Sequence, residues 1–237
     1  MSAASPEDPE ASQGPRRIAV VRHGITDHNA GGIWQGHLDT VLNATGERQA
    51  RAAAQALAAM RPALVRSSDL QRARHTGRLI ADACGLPLET DAGLREIHVG
   101  QWQGRTHAHV IESYPALWSA ISQGEDLARG EDGERVADVV RRARPVVDSV
   151  LRRLPAGALA VFVTHGVTAR ALVADLVGID QSAVWTGFVG LRNCHWAMLV
   201  ERPADPRDSG TGWRLDAWNA HADDPADGDL GSGAGSG

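Results

Sequence analysis

The sequence predicts a three-layer α/β sandwich: a mostly parallel central sheet with helices on both faces. Three observations carry that reading. Short β-branched runs alternate with helical patterns along the chain. Two of those runs end in the same corner, His23-Gly24 and His165-Gly166. The segments outside this alternation, residues 1–15 and 221–237, are rich in Pro, Ser, Gly and acid and show no period. Both read as disordered tails, which leaves one domain at 16–220.

Taken in order, residues 18–22 are a short apolar run and read as a buried strand. Residues 45–60 are an Ala-rich helix, with Thr45 the expected N-cap and Pro62 just past its end. Residues 63–66 read as a second strand. Ser68-Asp69-Leu70-Gln71 has the form of a capping box and is expected to open a helix that runs to Gly85. Residues 106–122 read as one or two short helices interrupted at Pro115. Residues 134–153 are helical, with Val136, Val139, Val140 and Val147 on one side and Pro145 expected to kink or restart the helix. Residues 158–163 are the most apolar strand. Residues 168–177 form a helix closed by Gly178, and 195–200 and 213–218 read as late strands. In such sheets ligands sit at the carboxyl ends of the strands.

Composition narrows the chemistry. The chain has 237 residues, 29 acidic and 24 basic side chains, and a net charge of −5, so it has no bulk attraction to nucleic acid or anionic lipid. No apolar run reaches the roughly 18 residues that a membrane-spanning helix needs. The N-terminus lacks the apolar core of a secretion signal, so a cytoplasmic protein with two buried thiols, Cys84 and Cys194, is expected. All 24 basic residues are arginines. Without lysine there is no P-loop and no Schiff-base chemistry, and any anion is held by Arg, His or backbone N–H groups.

Four segments carry the candidate chemistry. Arg22-His23-Gly24-Ile25-Thr26 follows the first strand; Gly24 is expected to let the backbone approach a ligand. Ser67-Ser68-Asp69-Leu70-Gln71-Arg72 is a strand-to-helix turn with an Arg on the first helical turn, and Thr164-His165-Gly166 is a second His-Gly corner. The two corners converge if their strands are parallel neighbours. Arg22 and Arg72 offer planar forks for phosphate oxygens, and the helix after Gly166 offers N–H groups. An imidazole is nucleophilic near neutral pH, so these pieces suit phosphoryl transfer through a phosphohistidine. In Leu94-Arg95-Glu96, Glu96 is either a proton donor and base, worth ~10²–10⁴-fold, or an ion-pair partner of Arg95 or another Arg. The pair His107 and His109 has metal-like spacing, but substrate-loop or solvent-facing histidines are the reading adopted, and no metal or cofactor is expected.

Arg22-His23-Gly24-Ile25-Thr26 with Asn29 resembles the signature of the histidine phosphatase superfamily, the phosphoglycerate-mutase-like group. Gln35-Gly36, Leu42-Asn43-Ala44-Thr45-Gly46, Ser67 to Ala73, Leu94-Arg95-Glu96 and Thr164-His165-Gly166 follow in that family's order over residues 17–219. The resemblance implies that His23 becomes phosphorylated and that Glu96 donates and then accepts the proton. It implies that Arg22, Arg72 and His165 surround the phosphoryl group, helped by Asn29, with Gly24, Thr26 and Gly166 as further phosphate-site positions. From Glu96 to His165 the chain advances only 69 positions (165 − 96), and the mutases carry a longer insertion there. That shortness resembles the phosphatase branch, in which water takes the phosphoryl group. Gln35 to Thr40, Trp102-Gln103-Gly104 and Trp213 to Asn219 further resemble an actinobacterial group within it that acts on a phosphorylated sugar acid.

Gln35, Gly36, Trp102 and Arg135 are the expected substrate-pocket positions, and at least half of Trp34, Trp102, Trp118 and Trp185 are expected in the core. The expected partner is a small-molecule phosphate ester, with no nucleic acid and no membrane; a homodimer is left open. A phosphoglycerate mutase and a non-catalytic phospho-ligand-binding protein are the competing readings.

Overall fold

The computed structural model describes residues 14–202 and 212–222. The expected tails lie outside those residues, apart from 14, 15, 221 and 222. Strands β1 (Arg17–Arg22), β2 (Leu64–Ser67), β3 (Leu88–Thr90), β4 (Leu159–Thr164), β5 (Trp196–Glu201) and β6 (Trp213–Ala220) form one sheet in the order β3-β2-β4-β1-β5-β6. β3, β2, β4 and β1 run parallel, while β5 and β6 are antiparallel additions at one edge. The helices are α1 (Asp27–Ala30), α2 (Ala44–Ala59), α3 (Gln71–Cys84), α4 (His107–Ser113), α5 (Pro115–Ser122), α6 (Val136–Leu151), α7 (Gly166–Val177) and α8 (Gln181–Gly187).

The period of two in β1 and β4 builds the layers. Ile18, Val20, Ala160 and Phe162 point to one face and pack against α6 and α7, through Ala143, Val147, Leu172 and Leu176. Ala19, Val21, Val161 and Val163 point to the other and pack against α2 and α3, through Ala50, Leu57, Ala73 and Ile80. Every residue of β4 is buried, the pattern of a central parallel strand covered on both sides. A third cluster lies beside the sheet, where Ile97, Val99, Trp102, Val110, Ile121, Val136 and Val139 pack together under α4, α5 and the start of α6. Among the described residues no helix is long and apolar enough to cross a membrane.

Several local expectations are corrected. Asn43, not Thr45, caps α2, its side chain accepting from the Gly46 N–H. Ser68 is not the cap of α3: that helix begins at Gln71 without a side-chain cap, and Ser68 turns to His165 instead. Pro145 does not restart α6, which is continuous from Val136 to Leu151. Pro145 is exposed, so the carbonyl its missing N–H deprives is open to water, while Val139, Ala143, Val146, Val147 and Val150 hold the opposite face down. Strand β3, the one-turn α1 and the short α8 gave no periodic signal, being too short to show one.

Gly24 and Gly46 sit where two backbones meet. A Cβ on Gly46 would lie 2.1 Å from the Ile25 carbonyl oxygen, and one on Gly24 would lie 2.5 Å from that of Gly46. Gly46→Ala gains up to ~1 kcal/mol of helix propensity in α2. Against this, overlap with unyielding backbone costs ~1–3 kcal/mol or more. A net loss of stability is therefore expected, read as a lower urea midpoint at unchanged slope; a midpoint at or above wild type would mean that the loop after β1 does not rest on α2.

Candidate active site

β1 and β4 are parallel neighbours with Arg22 opposite Thr164, so the two His-Gly corners leave the sheet side by side. The His23 N–H donates to the Thr164 carbonyl at 3.0 Å, and the two imidazole rings stand edge to face with centroids 5.0 Å apart. His23 Nδ1 lies 2.7 Å from the Gly24 carbonyl oxygen. A carbonyl only accepts, so the proton sits on Nδ1 and the lone pair on Nε2. Arg72 Nε donates to that Nε2 at 3.2 Å. Burial, then Arg72 and Arg22, hold the His23 pKa well below the ordinary 6.5, against the Gly24 hydrogen bond, so the ring is neutral at physiological pH.

The cations around His23 are only partly compensated. Arg72 Nη1 and Nη2 donate to the Leu38 and Gly36 carbonyls at 2.7 and 2.8 Å. Burial lowers its pKa to about 10, which leaves it charged. Arg22 Nη1 donates to the Leu191 carbonyl at 2.7 Å, but its Nε is buried without a partner. His165 is fully buried; its Nε2 lies 2.9 Å from Ser68 Oγ, while its Nδ1 has no partner. Burial and Arg72 push the His165 pKa well below 6.5 as well. Buried donors without acceptors are costly, and several pointed at one place mark where an anion belongs.

Glu96 is not an ion-pair partner of its neighbour: Arg95 pairs with Asp69 at 2.6 Å. The Glu96 carboxylate is seated on the first turn of α7, accepting from the Val167 N–H at 3.2 Å and from the Thr168 N–H and hydroxyl at 3.1 and 3.2 Å. This is the end of a helix that favours negative charge. Arg142 fixes the backbone beneath it, donating to the carbonyls of Gly93, Arg95 and Glu96 while paired with Glu134.

These groups open on one cavity of about 260 Å³. Arg22, His23, Asn29, Gln35, Gly36, Arg72, Glu96 and Gly166 line it. His165 stands behind, in contact with His23 but outside the lining. Four expected positions lie elsewhere. Gly24 is packed against Gly46 and faces α2. Thr26 is fully buried as the N-cap of α1, its hydroxyl near Asn29 and Gln35. Trp102 is fully buried in the third cluster. Arg135 is exposed, at the N-cap of α6. Of the four tryptophans, Trp34 and Trp185 line the cavity, and Trp102 and Trp118 do not. His107 and His109 have different partners: His107 stacks on Trp34 with centroids 4.4 Å apart, and His109 bonds Arg105.

Sequence reasoning missed the wall opposite Glu96. Gly190, Leu191, Arg192 and Asn193 line the cavity, and Asn193 Nδ2 donates to the His23 carbonyl at 2.8 Å. Asn219 and Trp218 of β6 hold this loop, through the Arg192 N–H and the Gly190 and Val189 carbonyls. Nothing local to residues 189–193 signals this. Arg170 was also missed, and there a signal existed: it is the one charge in the first two turns of the apolar α7.

A neutral imidazole with its lone pair on Nε2, under-compensated guanidiniums and an anchored carboxylate form a set suited to phosphoryl transfer, and comparison with known proteins agrees. The chain is 39% identical over 217 residues to the glucosyl-3-phosphoglycerate phosphatase of Mycolicibacterium vanbaalenii, covering 87% of this chain and 96% of that one. It is 34% identical over 215 residues to the Yersinia enterocolitica protein named "Probable phosphoglycerate mutase GpmB", covering 89% and 96%. The fold superposes on a mycobacterial glucosyl-3-phosphoglycerate phosphatase solved with VO3, with a TM-score of 0.79 at 38% identity over 86% of this chain and 99% of that one. A family model described as "Histidine phosphatase superfamily (branch 1)" matches residues 18–220. The chain thus belongs to branch 1 of the histidine phosphatase superfamily and is a phosphatase that hydrolyses a phosphate ester.

Proposed function

We propose that the ester is hydrolysed in two steps through a phosphate carried on His23 Nε2. The observation that carries this reading is the Nδ1–H···O=C bond to Gly24, which leaves the lone pair on Nε2 of a residue that lines the cavity. In the first step Nε2 attacks phosphorus, the P–N bond forms and the ester P–O bond breaks. Arg22 Nε, Arg72, His165 Nδ1 and the Asn29 amide N–H groups take the phosphoryl oxygens, with the first amides of α7 beside them. The Ser68 hydroxyl, bonded to His165 Nε2, leaves Nδ1 as the donor of that ring. Asn29 is oriented by the Thr26 N–H and hydroxyl at its Oδ1. Glu96 protonates the leaving alkoxide; in the second step its carboxylate takes a proton from water, which attacks phosphorus and frees Nε2. The arginines supply the positive field, so the reading needs no metal ion.

The proposed substrate is a phosphorylated sugar acid of the glucosyl-3-phosphoglycerate type. The names of the mycobacterial relatives support it, as does the flat Trp34–His107 stack on the cavity wall, a surface that suits a sugar ring. The proposed setting is the cytoplasm, with Cys84 and Cys194 as free thiols.

His23→Ala is expected to abolish turnover with the fold retained. Wild-type enzyme quenched without acid during turnover should carry one acid-labile phosphate per chain, with inorganic phosphate rather than an isomer as product; full activity in His23→Ala would end this mechanism. Glu96→Gln should slow alkyl phosphates by ~10²–10⁴-fold while sparing the first step with p-nitrophenyl phosphate, whose leaving group needs no proton. A burst of nitrophenolate is then expected; equal slowing of both esters without a burst would move the acid role away from Glu96.

The unfolded chain takes up a proton on His23 near pH 6.5 and the folded one does not, so its burial weakens the fold as pH drops below 6.5 and leaves it untouched above. Nitrogen-15 NMR at pH 6 should show a neutral ring with the proton on Nδ1; a charged ring there would contradict the assignment.

A further inference from the structure

The cavity contains a cation that the phosphoryl site does not use. Arg170 lies one helical turn beyond Gly166, so both face the cavity from α7. Its residue is 8% exposed, its Nε is buried without a partner, and among the described residues it has no hydrogen bond or ion pair. Its one ring contact is Trp185, with the guanidinium carbon 4.6 Å from the ring centroid. Arg129, almost fully buried, lies 5.3 Å from the same ring. Arg129 donates to the Leu127 carbonyl and lies outside the cavity lining, so the indole is fixed by one arginine and presents the other. An aromatic face orients a guanidinium without neutralising it. A buried, oriented and unpaired guanidinium is a site for a carboxylate or a phosphate.

The phosphoryl oxygens already meet Arg22, Arg72, His165 and Asn29 in the proposed mechanism. Arg170 therefore faces a different anionic group on the same ligand. We propose that Arg170, held against Trp185, is the specificity-determining residue that binds the substrate's carboxylate while the phosphoryl group is on His23. This rests on the proposed substrate class, a phosphate ester of a hydroxy acid, and assigns its second charge to a named side chain. The enzyme then distinguishes a phosphorylated acid from the matching phosphorylated alcohol, which lacks only that charge.

The test uses 3-phosphoglycerate and glycerol 3-phosphate, which differ by a carboxylate in place of a hydroxymethyl group. Wild type is expected to favour the acid by ~10–100-fold in kcat/KM, the scale of one charge-assisted pair. Arg170→Met keeps the apolar stem against Trp185 and should erase that preference, mainly through KM for the acid. Its kcat/KM on glycerol 3-phosphate and its inhibition by inorganic phosphate should stay within ~3-fold of wild type. Arg170→Lys should restore part of the preference. A preference that survives in Arg170→Met, or an equal loss on both esters, overturns the assignment. Binding of both esters by calorimetry to wild type and Arg170→Met separates the two levels of failure. If neither ester is turned over, the substrate class falls, and selective weakening of the acid in Arg170→Met still supports the carboxylate site, whereas unselective weakening or none rejects it.

Discussion

The register of β1 on β4 is the constraint on which the site depends. Arg22 opposite Thr164, closed by the His23 N–H on the Thr164 carbonyl, brings two corners 142 positions apart (165 − 23) to one edge of the sheet. A slip of one residue would turn Val21 and Val163 from the α2–α3 face to the other and carry both histidines with them. Burial of alternate residues on both faces therefore specifies the catalytic geometry through the same contacts that specify the fold.

On that frame the charges are arranged to be incomplete. Glu134 satisfies Arg142, and Asp69 satisfies Arg95, but among the described residues no carboxylate pairs with Arg22 or Arg72. Their partners are carbonyls and an imidazole nitrogen. Each partner orients without cancelling charge. The one carboxylate in the cavity lining, Glu96, is tied to the amides of α7, so it does not neutralise the arginines by direct pairing. The result is a preorganised positive field in a partly dry cavity, the condition under which electrostatic stabilisation of a transferring phosphoryl group is strongest.

Much of this was legible in the sequence because it is local. The strand–His–Gly corners, the Arg on the first turn of α3 and Glu96 after a short apolar element each announce themselves within a few residues. Gly24 and Thr26 were misassigned for the opposite reason. Both sit in the recognisable run, but Gly24 answers to Gly46 and Thr26 to Asn29 and Gln35, and motif membership does not separate a ligand contact from the residue that shapes the loop. Trp102 illustrates another limit: an indole beside a pocket and an indole under it have the same sequence signal, and only packing of Ile97, Val99 and Val110 around it decides. Arg135, expected in the substrate pocket, is exposed to solvent at the N-cap of α6.

The grip of Asn219 and Trp218 on residues 189–193 bears on how the site comes into being during synthesis. His23, the proposed nucleophile, is among the earliest parts of the described chain to be made, and the strand that completes the facing wall is the last. Domains are synthesised at ~5–20 residues per second, so some ten to forty seconds separate the two. Through that interval a nascent chain carries an imidazole and a cluster of arginines without the wall that encloses them. Assembly of the pocket is thus a late, long-range event, tied to docking of the edge strand rather than to collapse of the core.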